Sequence, residues 1–285
     1  MSQDILSPLS TDTPEARHRH WRERRFEELS AAESWLGLAG LYWLEPGTNA
    51  VGSAPDCAVV LPAGPARLGD LLWEGPSVRW RPFPGGGAVV EGMAAGADGE
   101  VVLATDRAGA PTRVRYGDLL FFVIERDGRL AVRLRDLDWR TKDDFAGVDC
   151  YPFDPDWCVE ALWDELVEPV SLQVQNGAGN LTAVNVSARA VFRVDGKEFA
   201  LLPLGEGEDH VFFVFRDTSS GRETYGGGRF LKAVPPVDKR LVLDFNRAFN
   251  PPCAFTAFAT CSLPPQENWL PFPVQAGEKK YAGSH

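Results

Sequence analysis

Histidine is scarce in this chain of 285 residues: there are four, and only His210 lies outside the N-terminal arm and the C-terminal tail. A metal site of two or three histidines would need His18 and His20 of the arm to fold back, so no metal is expected and acid–base work falls to Asp, Glu or Tyr. Long apolar runs are absent too. Nothing approaches the ~18 residues of a membrane span, and "MSQDILSPLSTD" lacks the basic region and apolar core of a signal peptide, so a cytoplasmic protein without membrane attachment is expected. Five cysteines, an odd number, then argue for reduced thiols rather than a disulfide framework. Basic residues are outnumbered, and a formal net charge of -11 repels phosphate backbones, which excludes a nucleic-acid partner. No P-loop, dinucleotide fingerprint or GxSxG elbow occurs, so no cofactor is expected.

What is present reads as a mainly β protein. Thr13 to Ser30 fits a helix, capped by Thr13 with Pro14 at the first helical position and a thin stripe of Trp21, Phe26 and Leu29. Its basic stretch "RHRHWRERR" contains Glu23 and precedes Glu27 and Glu28, the pattern of a solvated helix face. "SWLGLAGLYWL" is too dense in apolar residues for an exposed loop and should anchor this arm, so 1–44 is taken as helical arm and anchor.

Beyond Glu45 the period shifts to two, with short apolar runs separated by Gly, Pro and Asp, as in a sandwich or barrel. Strands are predicted at 58–61, 78–81, 88–91, 101–104, 112–116, 119–125 and 130–134, the last two joined by the hairpin turn "ERDGRL". These define a sandwich-like subdomain over 45–135. The irregular acidic segment 136–156 opens a second β-rich subdomain, 136–285, barrel-like or sandwich, with strands at 157–166, 170–175, 183–194, 198–204, 211–216, 223–231 and 240–246. Its proline-rich tail cannot be a central strand and should act as a clasp.

"VGSAPDCAVVLPAG", Val51 to Gly64, resembles the strand-turn-strand opening of forkhead-associated domains. The arginine that such a site needs is Ser53 here, which leaves phosphopeptide binding unsupported. The pairs Cys150/Cys158 and Cys253/Cys261 are each eight residues apart. That spacing, filled with bulky residues and prolines, does not suit a zinc knuckle. Cysteine catalysis at Cys253 would require His210 as base.

The densest polar signal is "RETYGGGRFLKAV" followed by "LVLDFNRAFNPPCAF". Alternation puts Leu241, Leu243 and Phe245 on one face and Val242, Asp244 and Asn246 on the other. Gly226 and Gly228 permit close approach of a ligand or another strand, and Arg229 offers a fork for an anion. The competing role is structural, with an Arg229–Asp244 pair and asparagine-capped turns locking the tail.

Together "RDTSSGRETYGGGRFL", "VLDFNRAFNPPCAF", "CSLPPQENWLPFPVQAGEK" and "SWLGLAGLYWLEPGTNAVGS" resemble the bacterial and archaeal domain-of-unknown-function 1684 family, from about Ser34 to Lys280. The resemblance carries over the positions Tyr225, Gly226, Gly228, Arg229, Asp244, Asn246, Asn250, Pro251 and Cys253. A middle segment adds Arg135, Asp136, Phe145 and Gly147. It implies no activity. The expectation is a small-molecule site, for an anionic ligand, lined by Arg135, Tyr225, Gly226, Gly228, Arg229, Asn246 and Asn250, with Asp244 or Tyr225 transferring a proton. The alternative is a non-catalytic interaction or scaffolding module with a degenerate forkhead-associated-like first half.

Overall fold

The structure is a computed structural model that describes residues 13–93, 99–126, 128–142, 145–175, 179 and 181–283. It is mainly β, with one long N-terminal helix and a sheet curled into a half-barrel. The chain divides into two compact units, one comprising 30–145 and the other 1–29 with 146–285. The helix thus groups with the C-terminal β series, and the 34–44 segment with the first. Among the described residues no helix is long and apolar enough to cross a membrane.

In the first unit the predicted anchor is a 3-10 turn, Trp35–Gly37, running into β1 (Leu38–Trp43). The strands that follow are β2 (Gly47–Gly52), β3 (Val59–Val60), β4 (Gly69–Glu74), β5 (Ser77–Pro82), β6 (Val89–Val90), β7 (Val101–Leu103), β8 (Arg113–Tyr116), β9 (Leu119–Arg126) and β10 (Arg129–Asp136). They form two five-stranded sheets, ordered β1-β10-β9-β8-β6 and β3-β2-β4-β5-β7. Both contribute to one apolar core, including Val51, Leu71 and Trp80 from one sheet and Phe121, Val132 and Leu134 from the other. This sharing makes the unit a sandwich. The β9–β10 hairpin is in the expected place; Asp127 of its turn lies outside the described residues, as do positions 1–12 of the arm. In the forkhead-like stretch, β2 and β3 pair in parallel, Val51 opposite Val59.

The second unit holds α1 (Pro14–Ser30), β11 (Cys158–Gln175), β12 (Leu181–Val194), β13 (Lys197–Leu201), β14 (Gly205–Glu206), β15 (Val211–Phe215), β16 (Arg229–Ala233) and β17 (Arg240–Asp244). Its sheets run β13-β12-β11-β17 and β14-β15-β16. Phe192, Phe213, Phe215, Leu231, Leu243 and Phe245 lie in the core they share. The two strands predicted at 157–166 and 170–175 are one long strand whose pairing with β12 shifts register between Glu165 and Val170. A bulge there keeps the strand continuous while bending it.

Three expectations are corrected here. Residues 223–228 are not strand: the Ser219 carbonyl accepts from the amides of Arg222, Glu223 and Thr224, and the Gly228 amide bonds back to the Tyr225 carbonyl at 3.1 Å. Gly228 has φ +89, and a Cβ on it would meet the Phe215 carbonyl oxygen at 2.6 Å, so only glycine fits the bend. The basic face of α1 is not solvated throughout, because His18 is buried and the Arg25 guanidinium is turned inward onto Glu278 and the Asn250 carbonyl. Phe26, placed in the apolar stripe, is 42% exposed.

Candidate functional site

The bend at Gly228 feeds Arg229 directly into β16, opposite Phe215, where its side chain is wholly buried. One terminal nitrogen donates to Asp217 Oδ2 at 2.6 Å and to the Val274 carbonyl at 2.8 Å, and the other to the Ala276 carbonyl. The guanidinium also packs over the Phe215 ring, 5.1 Å from its centroid. The partner of Arg229 is therefore Asp217 and not Asp244. Asp217 is itself fixed by Ser219, whose amide and hydroxyl both donate to Oδ1 at 2.6 and 2.5 Å. The Asp-x-Ser of "RDTSSG" is the sequence signal for this turn, and it was overlooked. An arginine held in this way ties the tail at 274–276 to the sheet and presents no donor to solvent.

Asp244 ends β17 and forms an ion pair with Arg247 at 3.0 Å. Its Oδ1 accepts from Cys158 Sγ at 3.4 Å and from the Asn246 amide at 3.1 Å. Burial and the Asp244 carboxylate push the Cys158 thiol up to about 12, so it stays protonated and donates. The predicted alternation holds for Leu241, Leu243 and Phe245, which are all buried. It breaks at Asn246, which lies in the 3-10 turn Phe245–Arg247 and is buried like Phe245.

Asn246 then makes a two-way bond to the chain at Asp154: its Oδ1 accepts from the Asp154 amide at 3.0 Å and its Nδ2 donates to the Asp154 carbonyl at 2.9 Å. Asn250 donates from Nδ2 to the Lys279 carbonyl at 2.8 Å, and its own amide donates to Glu278 Oε2 at 2.6 Å. Glu278 is buried against Arg25, with Nε to Oε1 at 2.9 Å. Arg135 belongs to the first unit, where it donates to the Glu33 and Ser34 carbonyls. Tyr225 donates its hydroxyl to the Cys253 carbonyl at 2.9 Å, while Gly226 lies against the backbone of Gly221. Desolvation drives the Tyr225 phenol far above its ordinary value, which makes it a poor base at neutral pH. No hydrogen bond among the described residues joins Cys253 to His210.

Space for a ligand is found beside these braces. A cleft of about 440 Å³ is lined by Tyr151, Phe153, Asp154, Trp157 and Gln275 with Pro152 and Pro155. Its rings are held from behind: Phe153 against His18 with centroids 5.4 Å apart, Trp157 against Phe245 at 5.8 Å. The Tyr151 hydroxyl donates to Glu223 Oε2 at 3.0 Å, and Lys279 Nζ sits 4.7 Å from its ring centroid. The run "CYPFDPDW" spans the end of the irregular segment, which sequence marks as a subdomain boundary with family-like positions and not as a site; its density of rings and prolines is the available signal.

Fold and contacts define a mainly β protein with a sandwich unit and a second unit locked by buried polar side chains beside an aromatic cleft. The chain belongs to the family described as "Protein of unknown function (DUF1684)", whose model matches residues 143–279. The matched span begins beyond "SWLGLAGLYWLEPGTNAVGS". An uncharacterized protein of Haloarcula marismortui, with a solution NMR structure, is 31% identical over 50% of this chain and 81% of its own, with a TM-score of 0.42. No curated protein matches the chain.

Proposed function

We propose that the second unit binds a small ring-bearing molecule, neutral or cationic, in the cleft formed by Tyr151, Phe153, Trp157 and Gln275, and catalyses no reaction on it. One observation carries this reading: a cleft of about 440 Å³ has an aromatic wall whose Phe153 and Trp157 rings pack on His18 and Phe245. That volume lies in the usual range for small-molecule sites, about 300–1,000 Å³, and rigid rings bind flat ligand faces without losing much conformational freedom. Asp154 and Gln275 supply a polar edge; the carboxylate favours hydrogen-bond donors and positive charge over an anion. The anionic ligand expected from Arg229 has no place on that buried guanidinium. Asp244 is already engaged by Arg247, and the Tyr225 phenol, its pKa raised by burial, stays protonated, which favours binding over catalysis.

The test is a thermal-shift and saturation-transfer NMR screen with nucleosides, monosaccharides and heteroaromatic amines, with small carboxylates and phosphates as the contrasting set. Stabilisation by the first set and its loss in Trp157→Ala are expected. If only the anions bind, or if Trp157→Ala binds as well as the parent, the reading fails.

A further inference from the structure

Beyond the cleft, one pair of reactive side chains takes no part in bracing the tail. Cys253 stands in a 3-10 turn over Pro252–Ala254, and the chain returns to it at Cys261. The Cys253 amide donates to Cys261 Sγ at 3.1 Å, which brings the second sulfur against the backbone of the first cysteine. Cys261 is buried and Cys253 half-buried. The Tyr225 hydroxyl donates to the Cys253 carbonyl at 2.9 Å. One cysteine is thus partly exposed, and a buried sulfur lies against its backbone.

We propose that Cys253 and Cys261 form a thiol–disulfide exchange site, with Cys253 as attacking and Cys261 as resolving sulfur, whose substrate is a small disulfide. In the first step Cys253 Sγ, as thiolate, attacks one sulfur of the disulfide and breaks its S–S bond. A mixed disulfide forms, and the departing thiolate takes up the proton that Cys253 gave up. Cys261 then loses its proton and attacks Cys253 Sγ. The second small thiolate leaves and is protonated, and an intramolecular disulfide closes the short loop. Two protein thiols are oxidised and one small disulfide is reduced to two thiols.

The chemistry suits these positions and not the other cysteines of the same unit. Hydrogen bonds, first from the Cys261 thiol and then from Tyr225, outweigh burial and bring the Cys253 thiol down to about 7. Burial pushes Cys150 up to about 11 and, with Asp244, Cys158 up to about 12. At neutral pH a large fraction of Cys253 is thiolate, whereas Cys150 and Cys158 are almost wholly protonated. Cys57 of the first unit accepts a hydrogen bond from Arg67 at 2.6 Å and is the internal competitor.

The experiment uses the full chain with oxidised glutathione, followed by alkylation and mass spectrometry. Cys253 and Cys261 fall on one tryptic peptide, since no Lys or Arg lies between Arg247 and Lys279. That peptide should lose two hydrogens in the parent protein and regain them with dithiothreitol. Cys261→Ser should instead retain one glutathione on Cys253, and Cys253→Ser should leave Cys261 unmodified. A second measurement runs beside these: in the parent protein iodoacetamide should label Cys253 with a midpoint near pH 7, and in Tyr225→Phe that midpoint should rise. Preferential modification of Cys57, Cys150 or Cys158, or a parent protein left with glutathione on Cys253 and no internal disulfide, overturns the proposal. So does a Cys253 labelling midpoint at or above that of an ordinary thiol.

Discussion

Among the described residues the first unit buries four polar side chains, Ser30, Ser34, Asn49 and Arg133, whereas the second buries ten, from His18 to Glu278. The contrast follows from how each unit satisfies its backbone. In the first, two five-stranded sheets pair most amides and carbonyls in ladders, so side chains can be apolar inside and charged outside. Its charges accordingly form exposed pairs such as Arg79 with Glu74. In the second unit, beyond Phe215 only Arg229–Ala233 and Arg240–Asp244 are strands, and the remaining backbone must find other partners. Arg229 bonds to Val274 and Ala276, Asn268 to Leu202 and Val214, Asn250 to Lys279, and Asn246 to Asp154. A polar side chain buried here stands in for a missing ladder bond.

That difference should be widest when equivalent damage is done to both units. Arg229→Met leaves the Asp217 carboxylate buried without its cation and frees two tail carbonyls, and should cost about 3–5 kcal/mol. Leu134→Ala in the sandwich opens a cavity and should cost about 3 kcal/mol, through apolar burial alone. Urea unfolding of each variant measures both. If the tail is braced as described, Arg229→Met should also expose the peptide bonds around 274–276 to proteolysis, and Leu134→Ala should not. A loss below about 1 kcal/mol for Arg229→Met would mean that the ion pair braces nothing.

A smaller effect is expected at Asn246, whose two bonds to Asp154 hold the cleft wall. Asn246→Ala leaves the Asp154 amide and carbonyl without partners and should cost about 1–3 kcal/mol. It should also weaken binding of whichever ring compound the cleft accepts, although Asn246 does not line the cleft. Thermal melts and binding titrations on the same sample separate the two effects. Unchanged affinity alongside reduced stability would detach the brace from the cleft.

Most strands and the sandwich class were legible because they rest on period-two alternation, a property of short segments; β1, β2 and β4 were not, since "GTNAVG" and "GDLLWE" do not alternate cleanly and the anchor reads only as apolar. The helix was legible from its cap and its proline. What alternation could not supply was the identity of partners across long separations. Sequence shows Arg229 as a buried-pair candidate and offers Asp244, on a polar face nearby, as its partner; the partner is Asp217 because the turn "RDTSSG" brings its carboxylate to the neighbouring strand. The glycine run alternates like a strand, but Gly228 bends the chain at a positive φ where a Cβ would also meet the Phe215 carbonyl oxygen. The basic arm looked solvated because its targets, the Asn246 and Asn250 carbonyls and Glu278, lie more than two hundred residues away.

The smallest expected effect tests the one of these distant contacts that titrates. His18 Nε2 donates to the Asn246 carbonyl at 3.0 Å, and the ring stacks on Trp21 and packs against Phe153. Burial lowers its pKa below 6.5; Asp244 opposes this, while Arg22 and Arg247 assist. A lowered folded pKa means that the fold prefers the neutral ring. Its contribution to stability is complete above 6.5, the unfolded value, and is lost as pH falls from there through the folded pKa. The melting temperature should therefore decline below pH 6.5 before the carboxylates begin to protonate near about pH 5. In His18→Gln, which keeps a donor but cannot be charged, the decline over this window should be shallower. Equal slopes in the two proteins would mean that His18 is solvated in the native state.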